Sequence, residues 1–215
     1  DRVIPMFPEK LSNGICSLNP KEDRLTLTAE MDFDRNGNRL RYRIYDSVIH
    51  SDERMTYTVV KKILVDHDPE LLERYAPLVE DFRLMKELCL KLRKKRFSRG
   101  SIDFDLPEPE ILLDLQGRTL DILTAERNIA HQIIEEFMLA ANESVALHGT
   151  TAGIPFLYRI HEPPDEDKIL EFNEFIEEIG IRAKLLPRSS KSFQRLLEKL
   201  EGKPEEKLIS HLMLR

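Results

Sequence analysis

The chain has 215 residues, 41% of them hydrophobic and 33% charged, with a formal net charge of −6. That length can bury a core unaided, and the balance belongs to a globular domain rather than a disordered or fibrous chain. No apolar run reaches bilayer-spanning length, no secretory leader opens the chain, and Cys16 and Cys89 fit no metal-ligand spacing. This cysteine usage suits a reducing cytoplasm, with Cys89 on a helical apolar stripe as a buried free thiol. The negative net charge argues against a polyanion-binding surface overall but leaves room for one local basic face.

In chain order, residues 1–23 read as a loop rich in turn residues. Leu25, Leu27, Ala29, Met31 and Phe33 alternate with polar residues, and Leu40, Tyr42, Ile44 and Val48 resume the period after an Asn36-Gly37 turn. The pattern predicts a β-hairpin with one buried face on each strand. Ser51, Asp52 and Glu53 offer caps for a helix to about Leu64. A longer helix carries Leu71 to Leu92, where Pro77 requires either a kink or two consecutive helices. A second hairpin follows over 111–123 across Gln116-Gly117, then a long helix with Ile129, Ile133, Ile134, Phe137, Met138, Ala141 and Val145 on a wide apolar face meant for packing on a sheet. Residues 155–160 read as a short strand, and three helices fill 165–179, 189–200 and 204–213. The fold expected is α+β in a single domain over 1–215: a largely antiparallel sheet with hairpins, flanked by several α-helices.

Common catalytic signatures are missing. No glycine-rich phosphate loop precedes a helix, no Gly-x-Ser-x-Gly occurs, and the six histidines are scattered without ligand spacing. One local pattern stands out. The basic run Lys91, Arg93, Lys94, Lys95, Arg96 and Arg99 leads directly into Ser101-Ile102-Asp103-Phe104-Asp105-Leu106-Pro107. Two readings are open, a solvated helix end or a phosphate-binding patch beside an aromatic ring that stacks on a base.

Four ordered segments carry a resemblance that favours the second. Arg54-Met55-Thr56-Tyr57-Thr58-Val59-Val60, the Arg99 to Pro107 run, Arg127 to Asn142 with its Ile134-Glu135-Glu136-Phe137-Met138, and Leu157-Tyr158-Arg159-Ile160-His161-Glu162-Pro163-Pro164 together resemble the catalytic (RNB) domain of the ribonuclease R and ribonuclease II exoribonucleases, nearer to ribonuclease R. The likeness starts at Arg2-Val3-Ile4-Pro5-Met6 and runs almost to the C-terminus. It implies a partial domain of that type, from a processive 3′–5′ exoribonuclease that hydrolyses single-stranded RNA to nucleoside 5′-monophosphates. Tyr57 would lie at the 3′-terminal nucleotide, and Phe104 would stack on nearby bases. Adjacent helical residues point about 100° apart, so one of Glu135 and Glu136 can face a pocket while the other is solvated. The resemblance makes Glu135 the pocket residue, accepting from a ribose 2′-hydroxyl and so favouring RNA over DNA. Lys94, Lys95 and Arg99 would hold phosphates. Asn142, on a similar helical face to Glu135, and Arg159, sharing a strand face with His161, would contact RNA or pack structurally. Tyr57, Phe104 and Glu135 are expected around one cavity.

The resemblance further implies two divalent ions, normally Mg²⁺, held by an aspartate cluster upstream of this sequence, and a catalytic arginine downstream of it, along with cold-shock and S1 RNA-binding domains. Asp103 with Asp105, and Glu30, Asp32 and Asp34 on the outward side of the first hairpin, do not reproduce that cluster. No tightly bound metal, no membrane contact and no nuclease activity are therefore expected of this segment alone. Two alternatives stay open: a non-catalytic platform for single-stranded RNA, and a protein-interaction domain built on helices 165–213.

Overall fold

The computed structural model describes residues 4–103, 109–114, 116–124, 126–160, 162–187 and 189–214. Their contacts gather into two compact units, Asp1–Lys91 with Asn128–Leu157 and Leu92–Arg127 with Tyr158–Arg215.

In the first unit, β1 (Asp23–Phe33) and β2 (Arg39–His50) form the expected antiparallel hairpin. Asp34 builds the turn: its carboxylate accepts from the backbone N–H groups of Asn36 and Asn38, each at 2.8 Å, and Gly37 takes a φ of +72°. The register places Leu25 opposite Val48, Ala29 opposite Ile44 and Met31 opposite Tyr42 on one face. Burial of that face is only partial. Leu25 and Leu27 are 85% and 74% exposed, whereas Ala29, Met31 and Phe33, nearer the turn on the same strand, are half-buried. The difference follows from where a helix reaches the sheet, since Ser144 donates to the Met31 sulfur at 3.1 Å and accepts from Arg39. At the far end the hydroxyls of Thr26, Thr28 and Ser47 bond one another on the opposite face.

The next helix starts later than its expected caps. Ser51 is still bridged to Pro20, so α1 (Tyr57–Lys61) begins at Thr56, whose hydroxyl accepts from Val59 N at 3.3 Å. It passes into a π-helical turn over Lys62–Asp66, and a similar turn, Lys10–Ile15, occupies the region read as loop. Pro77 resolves into two consecutive helices, α2 (Pro69–Arg74) and α3 (Ala76–Ser98), because in the first turn of α3 proline's missing N–H costs nothing. The long α4 (Ile129–Ala152) packs its first turns on helix rather than sheet. Val60, Leu64, Cys89, Ala130 and Ile133 form one buried cluster with Phe82, Met85 and Phe137 against it. Cys89 is a fully buried free thiol, as expected.

In the second unit, β3 (Pro109–Leu113) and β4 (Thr119–Thr124) pair as the second hairpin, where Asp114 accepts from the N–H groups of Gln116 and Arg118 as Asp34 does in the first. The strands make two separate two-stranded sheets rather than one larger one, in an α+β fold where helices predominate. Residues 155–160 carry no strand. A strand exists by ladder pairing, and among the described residues no strand pairs with this segment; Leu157 stands 98% exposed. Helices α5 (Glu166–Glu178), α6 (Ser190–Leu200) and α7 (Glu206–Met213) match their sequence pattern. They spend their apolar faces on one another, burying Ile169, Ile176, Leu196, Leu200 and Ile209 together with Leu185. The Asn173 amide ties Leu185 in place, donating to its carbonyl at 3.1 Å and accepting from its N–H at 2.7 Å.

Ile176 is fully buried in this cluster, whereas Leu170 on the same helix is 58% exposed. Ile176→Ala should cost about 2–5 kcal/mol in urea denaturation, and Leu170→Ala less than about 0.5 kcal/mol. Equal losses would show that the helices do not pack as described.

Candidate nucleic-acid interface

Tyr57 is the first residue of α1 and is 44% exposed, so its phenol lies on the surface with its ring supported from one side. The support is His131 of α4, whose imidazole stacks on the tyrosine with ring centroids 3.9 Å apart and planes 25° from parallel. His131 also belongs to the cap of α4. The Asn128 side chain accepts from Ala130 N at 3.0 Å, and Asn128 N donates to His131 Nδ1 at 3.3 Å, with the histidine in the place usual for Glu or Gln in a capping box. Glu135 follows His131 by four residues and so shares its side of the helix. Two of the three residues expected around one cavity, Tyr57 and Glu135, thus belong to the same pair of packed helices. Phe104, the third, lies outside the described residues.

The glutamate pair differs from its sequence reading. Neither carboxylate is the solvated member: Glu135 is half-buried and Glu136 is 3% exposed. The wide apolar face of α4 turns Glu136 inward with Ile133, since the two are three residues apart. Asn142, one turn and more further along, is exposed.

In the second unit the basic run divides by helical phase. Arg93 and Arg96 turn inward, with guanidinium carbons 4.7 Å and 5.4 Å from the centre of the Phe97 ring, and Arg96 donates to Ser101 Oγ at 3.0 Å. Lys94 and Arg99 are exposed and Lys95 is half-buried. Lys94 has no hydrogen bond or ion pair among the described residues. The helix is stopped by Gly100 at a φ of +100°, where an added Cβ would come within 2.5 Å of Ser190 Oγ at the start of α6. Gln194 and Ser190 of α6 donate to the carbonyls of Phe97 and Arg99, closing the end of α3.

Asp103 organises the chain just beyond Gly100. It accepts from Arg93 Nη2 at 2.5 Å and from Arg127 Nη1 at 2.6 Å, one arginine on each carboxylate oxygen. Burial pushes its pKa up, but the hydrogen bonds and charges of Arg127 and Arg93 outweigh that and hold it below the usual 3.8. The neighbouring hollow of about 250 Å³, lined by Phe97, Asp103, Gln194 and Leu197, is rimmed by Glu198, Glu201 and Glu206, so its charge is wrong for a phosphate. Within the basic run, the exposed positive charge is that of Lys94 and Arg99. Arg159 is exposed on irregular backbone, so the shared strand face with His161 has no basis; His161 itself lies outside the described residues.

Two participants are not evident from the sequence pattern. His131 reads as one of six scattered histidines, although its place three residues after an N-cap Asn is a legible signal. Asp103 pairs with arginines 10 and 24 residues away, and no periodic spacing signals such a contact. The acids Glu30 and Asp32 each face an arginine across the hairpin, Arg43 and Arg41. Among the described residues no group of three or more His, Cys, Asp or Glu side chains is arranged to hold a metal ion. No helix among them is long and apolar enough to cross a membrane.

Because the Asp103 pKa is depressed on folding, its stabilisation is complete above the unfolded value and is lost as pH falls through the lowered folded one. Asp103→Asn should therefore cost about 1–2 kcal/mol at pH 7, the low part of the range for charge-assisted hydrogen bonds in a partly solvated cluster. Denaturation at successive pH values should show this deficit shrinking below the ordinary carboxylate range; a deficit independent of pH would contradict the assignment.

Comparison with known proteins gives this geometry its context. The RNB domain family model matches residues 1–215. Ribonuclease R of Aquifex aeolicus is 48% identical over the whole chain, and that of Escherichia coli 38% identical. The chain spans 30% and 26% of those proteins' lengths. Among solved structures, Mycoplasma genitalium RNase R in complex with ribose-methylated single-stranded RNA superposes with a TM-score of 0.90 at 28% identity, covering 100% of this chain and 33% of that one. The same protein in complex with double-stranded RNA gives 0.89 over 98% of this chain and 38% of that one. The chain belongs to the RNB domain family, as a relative of ribonuclease R.

Proposed function

We propose that this chain reads the 3′-terminal nucleotides of single-stranded RNA for a processive 3′–5′ exoribonuclease that releases nucleoside 5′-monophosphates. The observation that carries the reading is the corner where α1 meets α4, which sets an exposed phenol and a half-buried carboxylate on adjoining helices. The Tyr57 hydroxyl can donate to a phosphate or sugar oxygen. Glu135, an acceptor when ionised, takes a hydrogen bond from a 2′-hydroxyl that DNA lacks. Lys94, Lys95 and Arg99 attract backbone phosphates, Phe104 stacks on a base, and Asn142 and Arg159 are exposed polar contacts along the strand. RNA as the ligand is supported by the relative from M. genitalium, which has been solved with it.

The same reading assigns Mg²⁺-dependent hydrolysis to a complete enzyme with cold-shock and S1 domains, in a cytoplasmic setting. The described residues of this chain bring together no ion-holding group, so the role given to their side chains is to bind and orient the strand. The buried apolar residues of α5, α6 and α7 pack on one another, so those positions offer no surface to a protein partner.

Fluorescence anisotropy with labelled single-stranded RNA at several salt concentrations tests this. Lys94→Glu with Lys95→Glu should weaken binding at least about tenfold and flatten the salt dependence, each lost phosphate contact removing about 0.7 from the log–log slope. Glu135→Gln should narrow the preference for RNA over DNA of the same sequence. Binding untouched by all three changes would overturn the proposal. With Mg²⁺ and end-labelled RNA, the 215-residue chain should produce no ladder of 3′-trimmed products; stepwise trimming would place the chemistry within it.

A further inference from the structure

We propose that His131 is a positioning residue that fixes the Tyr57 ring, and with it the spacing between phenol and acid, for recognition of an RNA 3′ end. The inference rests on the reading of Tyr57 given above but adds a residue which that reading does not use.

A tyrosine at the first position of a five-residue helix is poorly held by its own backbone, because so short a helix has little stability outside its tertiary contacts. Tyr57 is also 44% exposed, so packing confines only part of its ring. The confining surface is the His131 imidazole, stacked at 3.9 Å and 25°. A support of this kind works better when it is held in place, and His131 is also tied through its ring nitrogen. Its Nδ1 lies 3.3 Å from the Asn128 backbone N–H, a donor, and 3.1 Å from Asn128 Oδ1, an acceptor. With Nδ1 unprotonated the ring accepts from the N–H. With Nδ1 protonated it donates to Oδ1. In either state the ring has a partner that keeps its plane, so the platform does not depend on the tautomer.

The pin is built into the cap of α4, and the same helix presents Glu135 one turn beyond. One imidazole thus joins the start of α1 to the start of α4 and sets where the tyrosine hydroxyl stands relative to the carboxylate. Glu or Gln at this capping position would complete the hydrogen bond equally well. Histidine adds to that hydrogen bond an aromatic ring on which the tyrosine can stack, which accounts for its presence here by function rather than by capping alone.

The test uses the 215-residue chain and two single-stranded RNAs differing only at the 3′ end, one with a terminal hydroxyl and one with a terminal phosphate. The ratio of their affinities reports on the terminal nucleotide, while the salt slope reports on the remaining phosphates. His131→Ala should reduce that ratio about threefold to tenfold, the range an aromatic pair contributes, and leave the salt slope unchanged. His131→Phe, which keeps a flat ring but loses Nδ1, should restore most of it. His131→Ala combined with Tyr57→Ala should fall no further than Tyr57→Ala alone, because the histidine acts through the tyrosine. In the unaltered protein the His131 ring protons should show an upfield NMR shift that Tyr57→Leu removes. Retained discrimination in His131→Ala where Tyr57→Ala loses it would overturn the positioning role and leave the reading of Tyr57 standing. Intact discrimination in Tyr57→Ala would overturn both. Should His131→Ala fail to fold, His131→Phe decides alone, and a loss as complete as that of Tyr57→Ala refutes the stacking role.

Discussion

Val60, Leu64, Cys89, Ala130 and Ile133 come from three separate stretches of chain, and their burial against one another is what places the first turns of α1 and α4 side by side. The site proposed in the first unit depends on that contact. Helix α1 is too short to persist alone, and its cap is a single threonine hydroxyl. Burying Val60 and Leu64 stabilises it by an amount of the order of 1.5–3 kcal/mol per side chain. Once the helices are joined, the Tyr57 phenol and the Glu135 carboxylate have defined positions, and His131 fills the space between α1 and α4 with a flat ring. Loss of this apolar contact would release a tyrosine, a histidine and a glutamate together, although none of the three belongs to the buried cluster.

The second unit reaches order by different means. Its helical core is compact, but the segment after α3 is held by charge and by shape. Gly100 allows α6 to approach where a side chain would collide, and Asp103 then gathers Arg93 and Arg127. Two arginines on one partly solvated carboxylate form a strong local crosslink, because each hydrogen bond is charge-assisted. One consequence concerns the basic run, whose formal charge overstates what reaches solvent. Arg93 and Arg96 lie over Phe97, which leaves Lys94 and Arg99 to carry the exposed positive field. An acidic protein can still present such a field, since attraction of a polyanion depends on local rather than net charge. The nearby hollow, lined by Glu198, Glu201 and Glu206, offers a polyanion no such attraction.

Much of the fold was legible because its signals are local. The first hairpin announced itself through period-two alternation around a glycine turn, the second through apolar runs on either side of one, and α5 through an apolar stripe beginning near Asp165. Other readings failed where a neighbour had the last word. Residues 155–160 have strand-like composition but no partner strand among the described residues. The Ser51 cap was pre-empted by a bridge to Pro20. Leu25 and Leu27 have the alternation of a buried face and stand in the open, because alternation shows which side is apolar and not whether anything covers it. For the site, the motifs marked Tyr57 and Glu135 but missed the histidine between α1 and α4, since a stacked pair 74 residues apart leaves no spacing to read.

By itself, then, the amino-acid order determined the helices and hairpins, the family, and which phenol, ring and acid to watch. Propensity, capping and periodicity act over a few residues, and ordered motifs need no coordinates. Only the tertiary structure decided that Glu136 is buried beside Ile133, that Asp103 consumes two arginines, and that His131 underlies Tyr57. Each of these is settled by the direction in which a side chain points once distant segments have packed, a property that no single stretch of chain possesses.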